Sequence, residues 1–246
     1  MKQTKLIMGM PITLEIIDKE ASANLFQKIF SYFRAVDKQF SPYKKESEVS
    51  RMNNGTITAS AMSTAMKEVL ELAEQTQQET NGFFDVYHKG RFDPSGIVKG
   101  WAINNAASML KEKDMKHFFI DAGGDIHISG ANADGKPWRV GIRNPFNRFE
   151  NVKILSLQEK GIATSGTAIR GQHIYNPHRV NEQLYEIVSL TVIGPTVYDA
   201  DRFATAAFAM GRQGIEFLES QKEYEGYMID AKGIATYTNG FEQYVL

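Results

Sequence analysis

The chain has no cysteine in its 246 residues. That excludes disulfides, thiolate metal sites, cysteine nucleophiles and a lipid-bearing cysteine together. Charge of one sign is also lacking. Lys and Arg number 28 against 29 Asp and Glu, a formal net charge of -1. No electrostatic footprint for nucleic acid follows from that balance. No apolar stretch approaches the roughly 18 residues of a membrane span. The first residues, Met1 to Met8, run directly into the alternating pattern of Pro11 to Ile16. They lack the apolar core and cleavage site of a secretory leader, which sets the expectation of a cytoplasmic protein. Hydrophobic residues at 42% and charged residues at 23% are ordinary for a globular chain.

Hydrophobic periodicity predicts a strand over 6–17 and an amphipathic helix over 21–38, with Leu25, Phe26, Ile29, Phe30, Phe33 and Val36 on one side. Residues 40–54 are polar and read as an ordered loop with a short helix. Ser60 or Ser63 is placed to cap a second helix running to Glu79, which Asn81-Gly82 ends. A third helix is expected over 97–113. Strand patterns follow at 118–121, 126–129, 138–142, 154–157, 162–165 and 186–193. The stretch 130–137 reads as a hairpin loop. Helices are expected over 199–211 and 213–222, then a hairpin of 226–230 with 234–237. Helices and strands mix without regular βαβ alternation, so the class is α+β with largely antiparallel sheets and flanking helices. No linker or repeat divides residues 1–246, which read as a single domain.

The run Asp199-Ala200-Asp201-Arg202-Phe203-Ala204-Thr205 carries the most chemistry. Read as a first helical turn, it stacks Asp201 and Thr205 on one face, four residues apart. A carboxylate and a hydroxyl there suit a hard cation such as Mg2+, and a helix N-terminus attracts phosphate. A plainer reading has Asp199 capping the helix and Asp201 favouring its dipole. Asp121-Ala122-Gly123-Gly124-Asp125 reads as a tight turn between strands. Ile162 to Gly166 ends a strand in small polar residues. His173, between two polar Gly-containing segments, is the strongest general-base candidate of the five histidines. Gly96 and Gly100 flank a helix start, with Lys99 placed to meet a phosphate or carboxylate. Tyr43 and Trp101 are aromatics suited to stacking on a flat ring.

In order along the chain, these segments resemble the ApbE-type FAD:protein FMN transferases. The resemblance rests on Met8-Gly9, Phe40-Ser41-Pro42-Tyr43 with Ser47 to Asn53, Gly82-Phe83-Phe84-Asp85, and Gly96-Ile97-Val98-Lys99-Gly100. It continues through Gly123-Gly124-Asp125, Thr164-Ser165-Gly166, His173 near Pro177, and Ala200-Asp201 to Ala204-Thr205. It implies a two-lobed arrangement with the ligand between the lobes. It further implies FAD as substrate, Mg2+ as cofactor, and transfer of FMN to a Thr or Ser hydroxyl of a flavin-accepting redox protein, with release of AMP. On this resemblance Asp201, Thr205 and the Gly96 carbonyl are the metal ligands and His173 is the base. Met8, Tyr43, Phe83, Phe84, Asp85, Asp93, Lys99 and Ala204 line the FAD site. The chain departs from the family pattern at Asn176-Pro177 followed by Val180, where Asp-Pro and Gly are usual, and at Asn104 and Met10. It is also short between Asp85 and Asp93. An FAD pyrophosphatase yielding FMN and AMP, and a flavin-binding module without turnover, are the competing readings. Oligomeric state is open.

Overall fold

The computed structural model describes residues 1–167, 174–179 and 184–246. Its frame is an eight-stranded sheet whose paired neighbours are all antiparallel, β1-β2-β5-β6-β9-β10-β11-β12. These strands are β1 (Lys2–Ile7), β2 (Met10–Ile16), β5 (Phe118–Ala122), β6 (Asp125–Ser129), β9 (Gly161–Gly166), β10 (Ile187–Gly194), β11 (Glu225–Asp230) and β12 (Ala235–Tyr237). Two small hairpins stand apart from it. One is β3 (Tyr87–His88) with β4 (Arg91–Phe92); the other is β7 (Trp138–Asn144) with β8 (Asn147–Leu157). The helices are α1 (Ala23–Phe40), α2 (Glu48–Asn53), α3 (Thr64–Glu79), α4 (Ser95–Lys111), α5 (Val197–Ala209) and α6 (Gly214–Ser220). The class is α+β with antiparallel sheets, as the patterning implies.

The expected single strand over 6–17 is instead two. The chain reverses at Met8 and Gly9, with φ of 57° and 73°, and Ile7 pairs with Met10. A two-residue turn with both central residues at positive φ matches the twist of a hairpin. Alternation runs unbroken through such a turn, so periodicity alone does not reveal it. A second correction concerns 130–137. It joins β6 of the main sheet to β7 of the separate hairpin, so it is a crossing between sheets. A third concerns α5, which starts at Val197 under a Thr196 cap whose hydroxyl accepts the Asp199 N–H at 3.1 Å. Asp201 and Thr205 therefore lie beyond the first turn, and Asp199 is not the cap.

Three apolar clusters fill the space around the sheet. The largest joins β2 and β5 to α1, α3 and α4 through Leu14, Phe26, Phe30, Val69, Ile103 and Ile120. A second packs α5 and α6 on β10 and β11 through Leu190, Phe203, Phe208, Leu218 and Met228. The third seats the β7–β8 hairpin, through Trp138, Val140, Ile142, Leu155 and Leu157, against Ile126, Ile128, Ile162 and Ile229. Each amphipathic element thus buries its stripe, at about 25 cal/mol per Å2 of apolar surface. No helix among the described residues is long and apolar enough to cross a membrane.

His127, on β6, is an exception within the core. It stacks on Phe118 at 5.9 Å and 12°, and neither ring nitrogen has a hydrogen-bond partner. Burial, aided by the Lys111 charge, pushes its pKa down to about 4. The folded state therefore resists a proton that the unfolded chain accepts near pH 6.5. Its contribution is intact above that pH and is lost as pH falls from 6.5 towards 4, a change on the order of 3 kcal/mol. Denaturant unfolding of a His127→Phe variant should show a flatter pH profile across that window. An unchanged slope would contradict this account.

Candidate functional site

The site is built where α4 and α5 cross. Gly100 permits the approach: a Cβ there would lie 2.7 Å from the Asp201 Cβ and 2.9 Å from the Val197 carbonyl oxygen. In a regular helix the Gly100 N–H would meet the Gly96 carbonyl. Here it donates to Asp201 Oδ2 at 2.7 Å. The Gly96 carbonyl receives the Thr205 hydroxyl, 3.5 Å away. Oxygens from a carboxylate, a hydroxyl and a backbone carbonyl are thus gathered between two helices. The rotation of α5 is fixed from behind by Arg202, which pairs with Asp199 at 3.0 Å and with Glu79 of α3.

Asp201 is buried, as is Asp125 at the start of β6. A single lysine lies between them. Lys99 is ion-paired with Asp125 Oδ2, and its Nζ is 3.7 Å from Asp201 Oδ1. Burial pushes the Asp201 carboxyl up to about 7; Lys99 opposes the shift and Asp125 adds to it. Among the described residues, Lys99 is the ammonium within 4 Å of both buried carboxylates. Among the described residues no cluster of three or more His, Asp or Glu side chains is arranged to hold a metal. The all-oxygen set of Asp201, Thr205 and the Gly96 carbonyl fits a hard divalent cation.

These groups lie on the wall of a cavity of about 1110 Å3. Its lining includes the β1–β2 turn at Gly9 and Met10 and the β5–β6 turn at Gly123 and Gly124. One side is the connection from α3 to α4, with Phe83, Phe84, Asp85 and Asp93, and the start of α4 at Ser95 and Gly96. Pro94 precedes that helix without a side-chain cap, while Asp93 Oδ1 accepts the Ser95 N–H at 3.0 Å. The lining also includes Arg139, Arg143 and Arg148 of the β7–β8 hairpin. Ile174, Tyr175 and Pro177 line it as well. Tyr175 donates to the Tyr87 carbonyl at 3.0 Å, and His178 meets the Asn81 carbonyl at 3.0 Å. Asn176 Oδ1 accepts the His178 N–H at 2.9 Å, a turn bond an aspartate would make equally well.

Of the residues singled out from the sequence, Phe83, Phe84, Asp85, Asp93, Gly96, Lys99, Asp201 and Thr205 line this one cavity. Three others do not. Met8 lies in the adjoining turn and packs on the largest core cluster. Ala204, on α5, is fully buried in the cluster that packs this helix on the sheet. Tyr43 is 93% exposed and borders a separate concavity with Arg51 and Arg91. His173 and Val180 lie outside the described residues. Sequence reasoning left Asp125 and the hairpin arginines off the site. Asp125 carried a signal, an acidic residue opening a fully buried strand directly after Gly123-Gly124. Arg139 and Arg143 alternate with Val140 and Ile142, and alternation does not say what the polar face will meet.

Comparison with known proteins agrees with this architecture. The chain is 29% identical over 150 residues to the FAD:protein FMN transferase of Klebsiella pneumoniae (strain 342), covering 57% of this chain and 43% of that one. It is 23% identical over 279 residues to the FAD:protein FMN transferase of Escherichia coli (strain K12), covering 88% and 80%. The match thus spans under half the length of the Klebsiella relative and most of the Escherichia one. The flavin transferase ApbE of Vibrio cholerae superposes with a TM-score of 0.86 at 24% identity, over 99% of this chain and 98% of that one. The ApbE protein of Thermotoga maritima does so at 0.87 and 17%, over 99% and 98%. At those identities the superpositions establish the fold. The family model described as ApbE family matches residues 8–90 and 86–228, most of the chain; the chain belongs to the ApbE family.

Proposed function

We propose that this protein is an FAD:protein FMN transferase. It moves FMN from FAD to a Thr or Ser hydroxyl of a flavin-accepting redox protein, with Mg2+ bound, and releases AMP. The observation that carries the reading is the meeting of Asp201, Thr205 and the Gly96 carbonyl on the wall of the large cavity. Small-ligand sites usually span about 300–1,000 Å3, so this one has room for a dinucleotide. The names of the relatives supply the substrate and the reaction.

Asp201, Thr205 and the Gly96 carbonyl hold the Mg2+, which supplies charge neutralisation for a pyrophosphate. Lys99, on the same cavity wall, faces the same phosphates. Phe83, Phe84, Asp85 and Asp93 contact the rest of FAD. The acceptor hydroxyl oxygen attacks the phosphorus on the FMN side. The bond from that phosphorus to the bridging oxygen breaks, AMP departs, and the hydroxyl proton passes to His173. Phosphoryl transfer needs mainly positioning and charge stabilisation, and rigid helices supply both. The localisation proposed is cytoplasmic. Incubation with FAD, Mg2+ and an acceptor domain tests the reading by the acceptor's mass and by AMP. AMP without a mass gain would indicate the pyrophosphatase; neither product, with FAD retained, would indicate a binding module.

A further inference from the structure

Asp125 has no role in the reaction outlined above, yet its contacts are specific. It is 1% exposed, at the first position of β6 after the Gly123-Gly124 turn. Its Oδ1 accepts the Thr164 N–H at 3.2 Å, and its Oδ2 is paired with the Lys99 ammonium. Thr164 is itself tied to the next strand, its hydroxyl 2.8 Å from that of Thr191. The Asp125 carboxylate is therefore anchored to the sheet, whereas Lys99 ends a flexible four-carbon stem. The same ammonium lies 3.7 Å from Asp201 Oδ1. Asp201 Oδ2 is already occupied by the Gly100 N–H. Oδ1 is thus the atom Asp201 has to offer a ligand, and Lys99 is the group placed to close on it.

We propose that Asp125 is a positioning residue: it holds Lys99 back from Asp201 and keeps Oδ1 open to a divalent cation. Lys99 matters in this way because Asp201 is the cation ligand proposed above. In a water-poor site an ammonium deprived of one carboxylate moves onto the other. Without Asp125, Lys99 becomes a competitor for the metal.

The test uses Mn2+ as a paramagnetic probe of a hard-oxygen site, titrated into the 246-residue chain without FAD or acceptor and followed by electron paramagnetic resonance. Asp125→Asn retains a carbonyl for the Thr164 N–H, and thermal melting checks that it folds. Its Mn2+ affinity should fall roughly tenfold. Adding Lys99→Gln to Asp125→Asn should restore affinity to within about threefold of Lys99→Gln alone, because the competitor is gone. In turnover, the Mg2+ concentration for half-maximal AMP release should rise by a larger factor than kcat falls. Unchanged Mn2+ affinity in Asp125→Asn would overturn the proposal, as would a loss that Lys99→Gln does not relieve. Wild-type protein that binds no Mn2+ would overturn it too. Wild-type protein that binds Mn2+ through this coupling but flavinylates no acceptor would count against the transferase reading alone.

Discussion

Replacing Asp201 with Asn should lower AMP release from FAD by about 10^3-fold or more, the scale of removing a principal charge-stabilising group. The melting temperature of the metal-free protein should stay the same or rise. The two effects have one cause. Asp201 is buried and shares its single lysine with Asp125. Its ionised form is therefore costly to the fold and useful only once a cation arrives. The asparagine keeps an acceptor for the Gly100 N–H and the shape of the side chain, and removes the charge. Lys99 and Asp125 then balance each other. Parallel assays of AMP formation and thermal unfolding, with and without Mg2+, check both halves. Wild-type stability should rise with added Mg2+ and the variant's should not, because a ligand stabilises only the state that binds it. Activity within about tenfold of wild type would remove Asp201 from the metal site.

Gly100→Ala should be nearly as damaging, through geometry alone. The added methyl would meet the Asp201 Cβ at 2.7 Å, the Val197 carbonyl oxygen at 2.9 Å and the Tyr198 Cα at 3.0 Å. Two of these are backbone atoms of α5, so no rotamer change relieves them. The helices must separate, which draws the Gly96 carbonyl away from Asp201 and Thr205. A misplacement on the scale of 1 Å costs about 10^2-fold in rate. The strain should also cost about 1–3 kcal/mol of stability. Rate at saturating FAD and Mg2+, compared with urea unfolding, separates the two losses. A variant of wild-type rate would show that the crossing of α4 and α5 does not set the site.

How far the sequence foretold this arrangement varies by residue for physical reasons. The helix stripe of Phe26, Ile29, Phe30, Phe33 and Val36 is buried as its period demands. Ser63 caps α3 by accepting the Met66 N–H at 3.1 Å. Those are local signals, and local chemistry decides them. The reversal at Met8-Gly9 escaped because strand alternation does not mark a two-residue turn. Asp199 is as good a capping residue as Thr196, and it is the fold that shows Asp199 accepting from the Thr196 hydroxyl at 2.6 Å and pairing with Arg202 instead. Asp201 and Thr205 were legible as a pair because four-residue spacing is a helical property. That Gly96, Lys99 and Asp125 share their cavity is a property of chain crossings, and local pattern is silent on it. The family resemblance supplied the first two of these three. It carried Asp125 only within the Gly123-Gly124-Asp125 motif and gave it no part in the site, because that part depends on Lys99 lying near two carboxylates.

The most direct test of transfer to protein is the intact mass of an acceptor domain after incubation with this protein, FAD and Mg2+, with AMP measured in the same sample. The account predicts that the acceptor gains the mass of one FMN through a Thr or Ser hydroxyl, with AMP in equal amount, and that chelation of the metal stops both. AMP accumulating while every acceptor tried stays unmodified, or no AMP at all with FAD bound, would contradict it.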